Sequence, residues 1–140
     1  MTDPAEQRAR RKRLVVIVVA WVVIIAGFVT WRVVTDRAVD DRSDTIEAQL
    51  RRVWRDVDLV ELQGRVDAAQ LDDDETGGNS AFTLFPQPAD GEFFSGGFVG
   101  RNELVARYTV ETGLAGHGCV AIRVRGPVPN RLTFARSGDC

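Results

Sequence analysis

The chain is poor in the side chains that most often carry chemistry: its 140 residues include one histidine, one tyrosine, one methionine and two cysteines. Lysine is as scarce, with Lys12 alone against seventeen arginines. The single histidine, His117, lies in Gly116-His117-Gly118, which reads as a turn. Histidine catalysis needs a nucleophile and an orienting group close by. The serines are few, and none lies in a G-x-S-x-G elbow. One histidine and two cysteines also fall short of a tetrahedral Cys/His metal set. The expectation is therefore a non-enzymatic chain with no catalytic residue, no cofactor and no metal site. No cysteine stands near the N-terminal apolar run, which excludes a lipoprotein anchor, and no internal repeat is visible.

Charge is missing from one long stretch. Leu14 to Trp31 reads LVVIVVAWVVIIAGFVTW, with no charged residue and Thr30 as its only polar side chain besides the indole N–H groups. Eighteen helical residues rise about 27 Å, close to the ~30 Å hydrocarbon thickness of a bilayer. Val33 and Val34 extend the span to residues 14–34 if Arg32 snorkels to the headgroups. Trp31 suits the interface, where an indole is apolar on one side and wet on the other. Trp21 lies mid-span, facing lipid or a partner helix. A buried core helix of this length without charge is out of scale for so small a domain. A cleavable signal has a shorter apolar region and a small-x-small site, and Ala26-Gly27-Phe28 offers no A-x-A. Arg10-Arg11-Lys12-Arg13-Leu14 contains a twin-arginine pair in a poor flanking pattern. The expected segment is an uncleaved signal anchor.

Orientation follows from the flanks. Residues 1–13 carry Arg8, Arg10, Arg11, Lys12 and Arg13 against Asp3 and Glu6, so 5 − 2 = +3. The remainder carries 13 basic and 18 acidic residues, so −5. Cationic flanks stay in the cytoplasm, which places the N-terminus inside and the rest of the chain outside. Arg11, Lys12 and Arg13 on one side and Trp31 and Arg32 on the other are the anchor's flanks, with the lipid bilayer as first partner. Nucleic acid is not expected: the basic cluster is short, lacks interleaved aromatics and abuts the apolar run.

Residues 35–60 read as an amphipathic helix or stalk. Ile46, Leu50, Val53, Trp54 and Val57 recur at helical spacing, as a stripe wide enough to lie on a core. Ser43 or Asp44 is placed to cap a fresh start, and a helix continuous with the span is the alternative. A coiled coil with Ser43, Leu50 and Val57 at a and Val39, Ile46, Val53 and Val60 at d makes a like-charge pair of Asp56 and Glu61, so packing on the domain's own sheet is preferred. Leu59–Val66 is open between helix and strand. Residues 61–80 read as an acidic linker, with a loop over Asp72–Asn79. Short strands follow at Ala81–Phe85, Glu92–Val99, Glu103–Thr112, Cys119–Arg125 and Arg131–Ser137. Alternation puts Leu104, Ala106, Tyr108, Val110, Val120, Ile122, Val124, Leu132 and Phe134 on covered faces. The expected fold is α+β: a transmembrane helix, then an amphipathic helix packed on a small antiparallel sheet over 81–140 with a C-terminal disulfide. The last two strands make a hairpin across Gly126–Asn130. Pairing Arg125 with Phe134 sets Cys119 opposite Cys140, at the short separation a disulfide needs.

Three surface features are candidates for contact. Asp72, Asp74, Thr76 and Gly77 match the start of a calcium loop, but position twelve is Thr83 rather than glutamate, so a solvated linker is preferred. Arg107, Arg123 and Arg125, with Arg136 nearby, face the wet side of the strands, where they meet an acidic protein, an anionic envelope polymer, or only Glu103 and Glu111 as counter-charges. Phe93, Phe94 and Phe98 lie among glycines, filling the core's end or forming an apolar contact patch. Consecutive Phe93 and Phe94 point to opposite faces in a strand, so one is expected to be exposed or covered by something other than the core.

This layout of an apolar helix, an amphipathic helix, an antiparallel sheet and a C-terminal disulfide resembles type IV pilins and pseudopilins. The resemblance rests on layout over most of the chain and implies a shortened mature N-terminus and assembly into filaments. That family carries a glycine ahead of the apolar run and a glutamate at the fifth mature position. Here Lys12-Arg13 lead directly into Leu14-Val15-Val16-Ile17-Val18, and neither residue is present. The first expectation is thus a bitopic bacterial envelope protein with an outer binding or scaffold module. A pilin-like subunit and an enzyme with an unrecognised site are the alternatives.

Overall fold

A computed structural model describes residues 4–113 and 116–140; residues 1–3 of the basic tail, Asp3 among them, lie outside the described residues. The chain divides into two compact units, Met1–Asp36 and Arg37–Cys140. Helix α1 covers Pro4–Trp54 and contributes to both.

In the first unit, the apolar side chains from Leu14 to Trp31 are more than half exposed, and no residue of the most apolar eighteen-residue window is buried. The one hydroxyl in the run is satisfied within the helix, since Thr30 Oγ1 donates to the Ala26 carbonyl at 2.8 Å. Arg11, Lys12, Arg13, Trp31 and Arg32 are all exposed on the same helix.

The second unit is an α+β domain. Helix α1 runs through Ser43 and Asp44 without a fresh start, and Ser43 is buried with its hydroxyl donating to the Val39 carbonyl at 2.7 Å. The buried stripe is Ile46, Leu50 and Trp54. Val53, placed in the stripe by spacing, is 41% exposed. After a break at residues 55–58, helix α2 spans Leu59–Thr76. Asp58 caps it, its carboxylate accepting from the Val60 and Glu61 amides at 2.9 and 3.2 Å. Leu59, Leu62 and Val66 are its buried face. Gly77, at φ 71°, closes it in the left-handed conformation glycine adopts without strain. So the stretch read as an acidic linker is mostly helix. Helix-forming alanine, glutamine, leucine and glutamate outweigh the aspartates once Leu59, Leu62 and Val66 are anchored in the core.

The segment expected as a strand at Ala81–Phe85 is instead a 3-10 helix, Ser80–Leu84. Asp73 decides this: its carboxylate accepts from the Ser80 hydroxyl and the Ala81 amide, and that wraps the chain around the end of α2. The sheet is a four-stranded antiparallel meander, ordered β1 (Glu92–Gly100), β2 (Glu103–Thr112), β3 (Gly116–Arg125), β4 (Arg131–Ser137). One face carries Leu104, Ala106, Tyr108, Val110, Val120, Ile122 and Val124, all buried with Ile46, Leu50 and Trp54 in one core. Close approach between α1 and β3 is fixed at Gly118, where a Cβ would stand 2.8 Å from Val39 Cγ1.

The hairpin β3–β4 forms, but its register differs from the expected one. Arg125 pairs with Arg131, Ile122 with Phe134 and Cys119 with Ser137. The expected register was off by three, an odd number, which would have turned Phe134 to the wet face and exposed an aromatic. Asn130 holds the loop short: its amide donates to the Arg55 carbonyl at 2.8 Å, and its side chain donates to the Trp54 and Val57 carbonyls at 2.8 and 2.7 Å. The Cys119–Cys140 disulfide is nonetheless present, with a Cα separation of 5.1 Å. It is reached by a turn after β4 instead of by direct strand opposition, and Ser137 Oγ donates to the Asp139 carbonyl within that turn at 2.7 Å.

Candidate functional site

The face of the sheet opposite the core is read from the register. Across β2, β3 and β4 it forms successive rows: Glu103, Arg125 and Arg131; Val105, Arg123 and Thr133; Arg107, Ala121 and Ala135; Thr109, Cys119 and Ser137. Strand alternation places these side chains together because their odd-numbered neighbours share one face. The centre of the face is low and made of Val105, Ala121, Ala135 and Thr133. Around it stand Arg123, Arg125 and Arg131, enclosing a depression of about 460 Å³.

Charge on this face is lopsided. Glu103 divides one carboxylate between two guanidiniums, at 3.4 Å from Arg123 and 3.1 Å from Arg125. Among the described residues Arg131 has no carboxylate partner, and it lies directly across from Arg125. Arg107 donates to the Cys140 carbonyl at 3.4 Å, so the disulfide-tethered segment docks beside it. The face therefore brings together Arg107, Arg123 and Arg125, as alternation implied, and adds Arg131. Its phase with Thr133 and Ala135 was the signal for that residue.

Arg136 belongs elsewhere. It pairs with Val120 in the register and so lies on the helix side. Its Nε is 2.7 Å from Glu47, and a second nitrogen contacts Asp44. These two carboxylates, Glu47 first, push its pKa further up and keep it charged. On the same side the Arg51 guanidinium lies 4.5 Å above the Phe134 ring. A second depression, of about 520 Å³, lies between α1 and the start of β4, lined by Ala48, Arg51, Arg52, Arg55, Asp56, Asn130 and Leu132.

The phenylalanines divide between two roles. Phe93 stacks on Phe85 at 4.6 Å and meets Tyr108 edge-on at 5.7 Å, while Phe98 is 6.5 Å from Phe85. Both extend the core. Phe94 is 53% exposed because a bulge between Phe93 and Ser95 leaves it without a partner on β2.

The other features do not assemble into a reactive site. Asp72 and Asp74 lie within α2, where Thr76 Oγ1 donates to the Asp72 carbonyl, so the calcium-loop spacing is not in a loop. Asp73 is held below the usual carboxylate range, first by the Ala81 amide and then by the Ser80 hydroxyl, as a capping group. Strand β3 begins at Gly116, so His117 is not in a turn but exposed on the strand, opposite Glu111. Among the described residues no group of three His, Cys, Asp or Glu side chains is placed to hold a metal ion. No protein-family model, no curated protein and no solved structure matches this chain.

Proposed function

We propose that this chain is a single-pass membrane protein of the bacterial envelope, with a cytoplasmic N-terminus, and that its Arg37–Cys140 domain is a non-enzymatic module binding an anionic partner outside the membrane. The anchor reading is supported by the uncovered apolar surface of Leu14–Trp31, which water would not tolerate at that length, behind a cationic flank. The binding reading is carried by one observation: three arginines, Arg123, Arg125 and Arg131, surround a floor of small side chains, with Glu103 as the partner of the first two. Arginine forks on a flat, shallow surface suit carboxylate or phosphate recognition.

The test uses the full chain in lipid nanodiscs with a polyglutamate peptide as probe. Binding that weakens with salt and is lost in an Arg123→Glu/Arg131→Glu variant supports the reading. Binding unaffected by that variant, or no binding to polyglutamate or to polyphosphate, overturns it. For the anchor, retention in the pellet after alkaline carbonate treatment is the expected result.

A pilin-like subunit is the second reading, favoured by the run of α1 over Pro4–Trp54 and the antiparallel meander closed by a C-terminal disulfide. A mature N-terminus shortened in intact-mass measurement, together with filaments in electron micrographs, would decide for it.

A further inference from the structure

The two edges of the sheet differ, and the difference has a functional meaning. Strand β1 is a poor template for pairing: its register with β2 shifts twice, at Phe93/Ser95 and at Phe98/Gly100, and Gly96, Gly97 and Gly100 interrupt it. Bulges and glycines of this kind blunt an edge against further strands. Strand β4, the other edge, has none of these devices. It pairs with β3 without a shift from Cys119–Ser137 to Arg125–Arg131, and no proline or glycine lies within Arg131–Ser137. Among the described residues no strand lies beside its outer backbone edge, and Arg131, Thr133, Ala135 and Ser137 are exposed.

We infer that the open edge of β4 is a receptor strand for an acidic, extended polypeptide segment, which adds to the sheet beside it. This deepens the anionic-partner reading and rests on it. The charge around β4 selects the occupant. The depression on the outer face presents Arg123, Arg125 and Arg131, and the depression on the helix side presents Arg51, Arg52 and Arg55 with Asp56 as its single acid. An added strand points alternate side chains to the two faces. Carboxylates at successive positions would therefore meet arginines on both sides, while the backbone completes the ladder of β4. A second copy of the same strand is disfavoured, because two arginine-flanked edges would repel each other on approach. A free phosphate polymer would use the arginines but leave the backbone edge unpaired.

The experiment compares two peptides of equal charge on the full chain in nanodiscs. One repeats two successive glutamates followed by valine and threonine, so that both faces of the added strand carry carboxylates; the other is identical but N-methylated at successive amides, so that neither of its edges completes a ladder. The unmethylated peptide is expected to bind about tenfold tighter, the effect of one or two ladder hydrogen bonds, and to slow amide exchange across Arg131–Ser137. Substituting Arg52→Glu/Arg55→Glu is expected to weaken it further without unfolding the domain, since both side chains are exposed. Equal affinity of the two peptides overturns strand addition and leaves the anionic-partner reading standing. Binding of polyphosphate but of neither peptide also overturns it, and assigns the face to a polymer. Concentration-dependent protection of β4 amides without peptide would give the edge to a second copy and overturn it. Failure of every anionic probe removes both readings.

Discussion

The Trp54 indole N–H donates to the Tyr108 phenolic oxygen at 3.0 Å, and that hydroxyl donates in turn to the Pro86 carbonyl at 2.8 Å. Both rings are fully buried, so this chain of two hydrogen bonds joins α1, β2 and the segment ahead of β1 inside the core. Removing the hydroxyl in Tyr108→Phe strands an indole donor and a carbonyl acceptor, which costs about 1–3 kcal/mol. Chemical denaturation of the folded domain should show that loss.

The same residue gives a pH signature. Burial pushes the Tyr108 phenol well above its ordinary 10.0. A raised folded pKa leaves this stability fully present below pH 10 and removes it as pH climbs beyond that value. Because the chain has one tyrosine, tyrosinate absorbance reports the group directly. Ionisation should be delayed past the unfolded value and should coincide with unfolding. The Tyr108→Phe variant should lose the alkaline component contributed by this phenol.

Asn130 closes the β3–β4 loop onto the end of α1 through three hydrogen bonds to the Arg55, Trp54 and Val57 carbonyls. Asn130→Ala keeps the backbone bond and removes both side-chain N–H donors, leaving the Trp54 carbonyl at the end of α1 and the Val57 carbonyl in the break after it without that partner. A destabilisation of roughly 1–3 kcal/mol is expected in denaturant titration. Asn130→Asp should be at least as costly, since it turns the donor pair into acceptors facing carbonyls.

Breaking the Cys119–Cys140 bridge with paired serines opens a loop whose closure contributes about 3 kcal/mol in the chain-entropy treatment. Thermal melting of the double variant should fall accordingly. Arg107, whose contact is the Cys140 carbonyl, should become the most altered arginine in a chemical-modification map.

Asp73 holds Ser80 and Ala81, and those bonds lower its pKa below 3.8. A depressed pKa supplies stability above that value and loses it as pH falls through the folded pKa. The protection of the Ala81 amide, taken relative to an unstructured amide at the same pH, should therefore fall on acidification below about pH 4, and Asp73→Ala should lack that protection at neutral pH.

Alternation along β2, β3 and β4 was legible because each strand has one buried and one wet face, so Val120, Ile122 and Val124 declare their side without reference to partners. The same logic placed Arg107, Arg123 and Arg125 together. Helix α2 stayed open between helix and strand over Leu59–Val66, because the aspartate run at 72–74 reads as linker until Leu59, Leu62 and Val66 are seen anchored in the core. Ala81–Phe85 was not legible as a 3-10 turn, since its geometry depends on a carboxylate eight residues away from the amide it accepts from. Arg136 shares the phase of Leu132 and Phe134, so alternation already separates it from the wet-side arginines; only its partners there, Glu47 and Asp44, needed the tertiary structure.

By itself the sequence determined the apolar run, its cationic flank, the strand alternation and the two cysteines, all of which are properties of neighbours along the chain. Tertiary structure alone decided the β3–β4 register, the route to the disulfide, the pairing of Glu103 with two arginines, and the contrast between a bulged edge and an open one. The physical reason is range. Periodicity and hydrophobicity act over a few residues, whereas register and edge exposure are settled by contacts such as Asn130 with Trp54, between residues that only the folded core brings together.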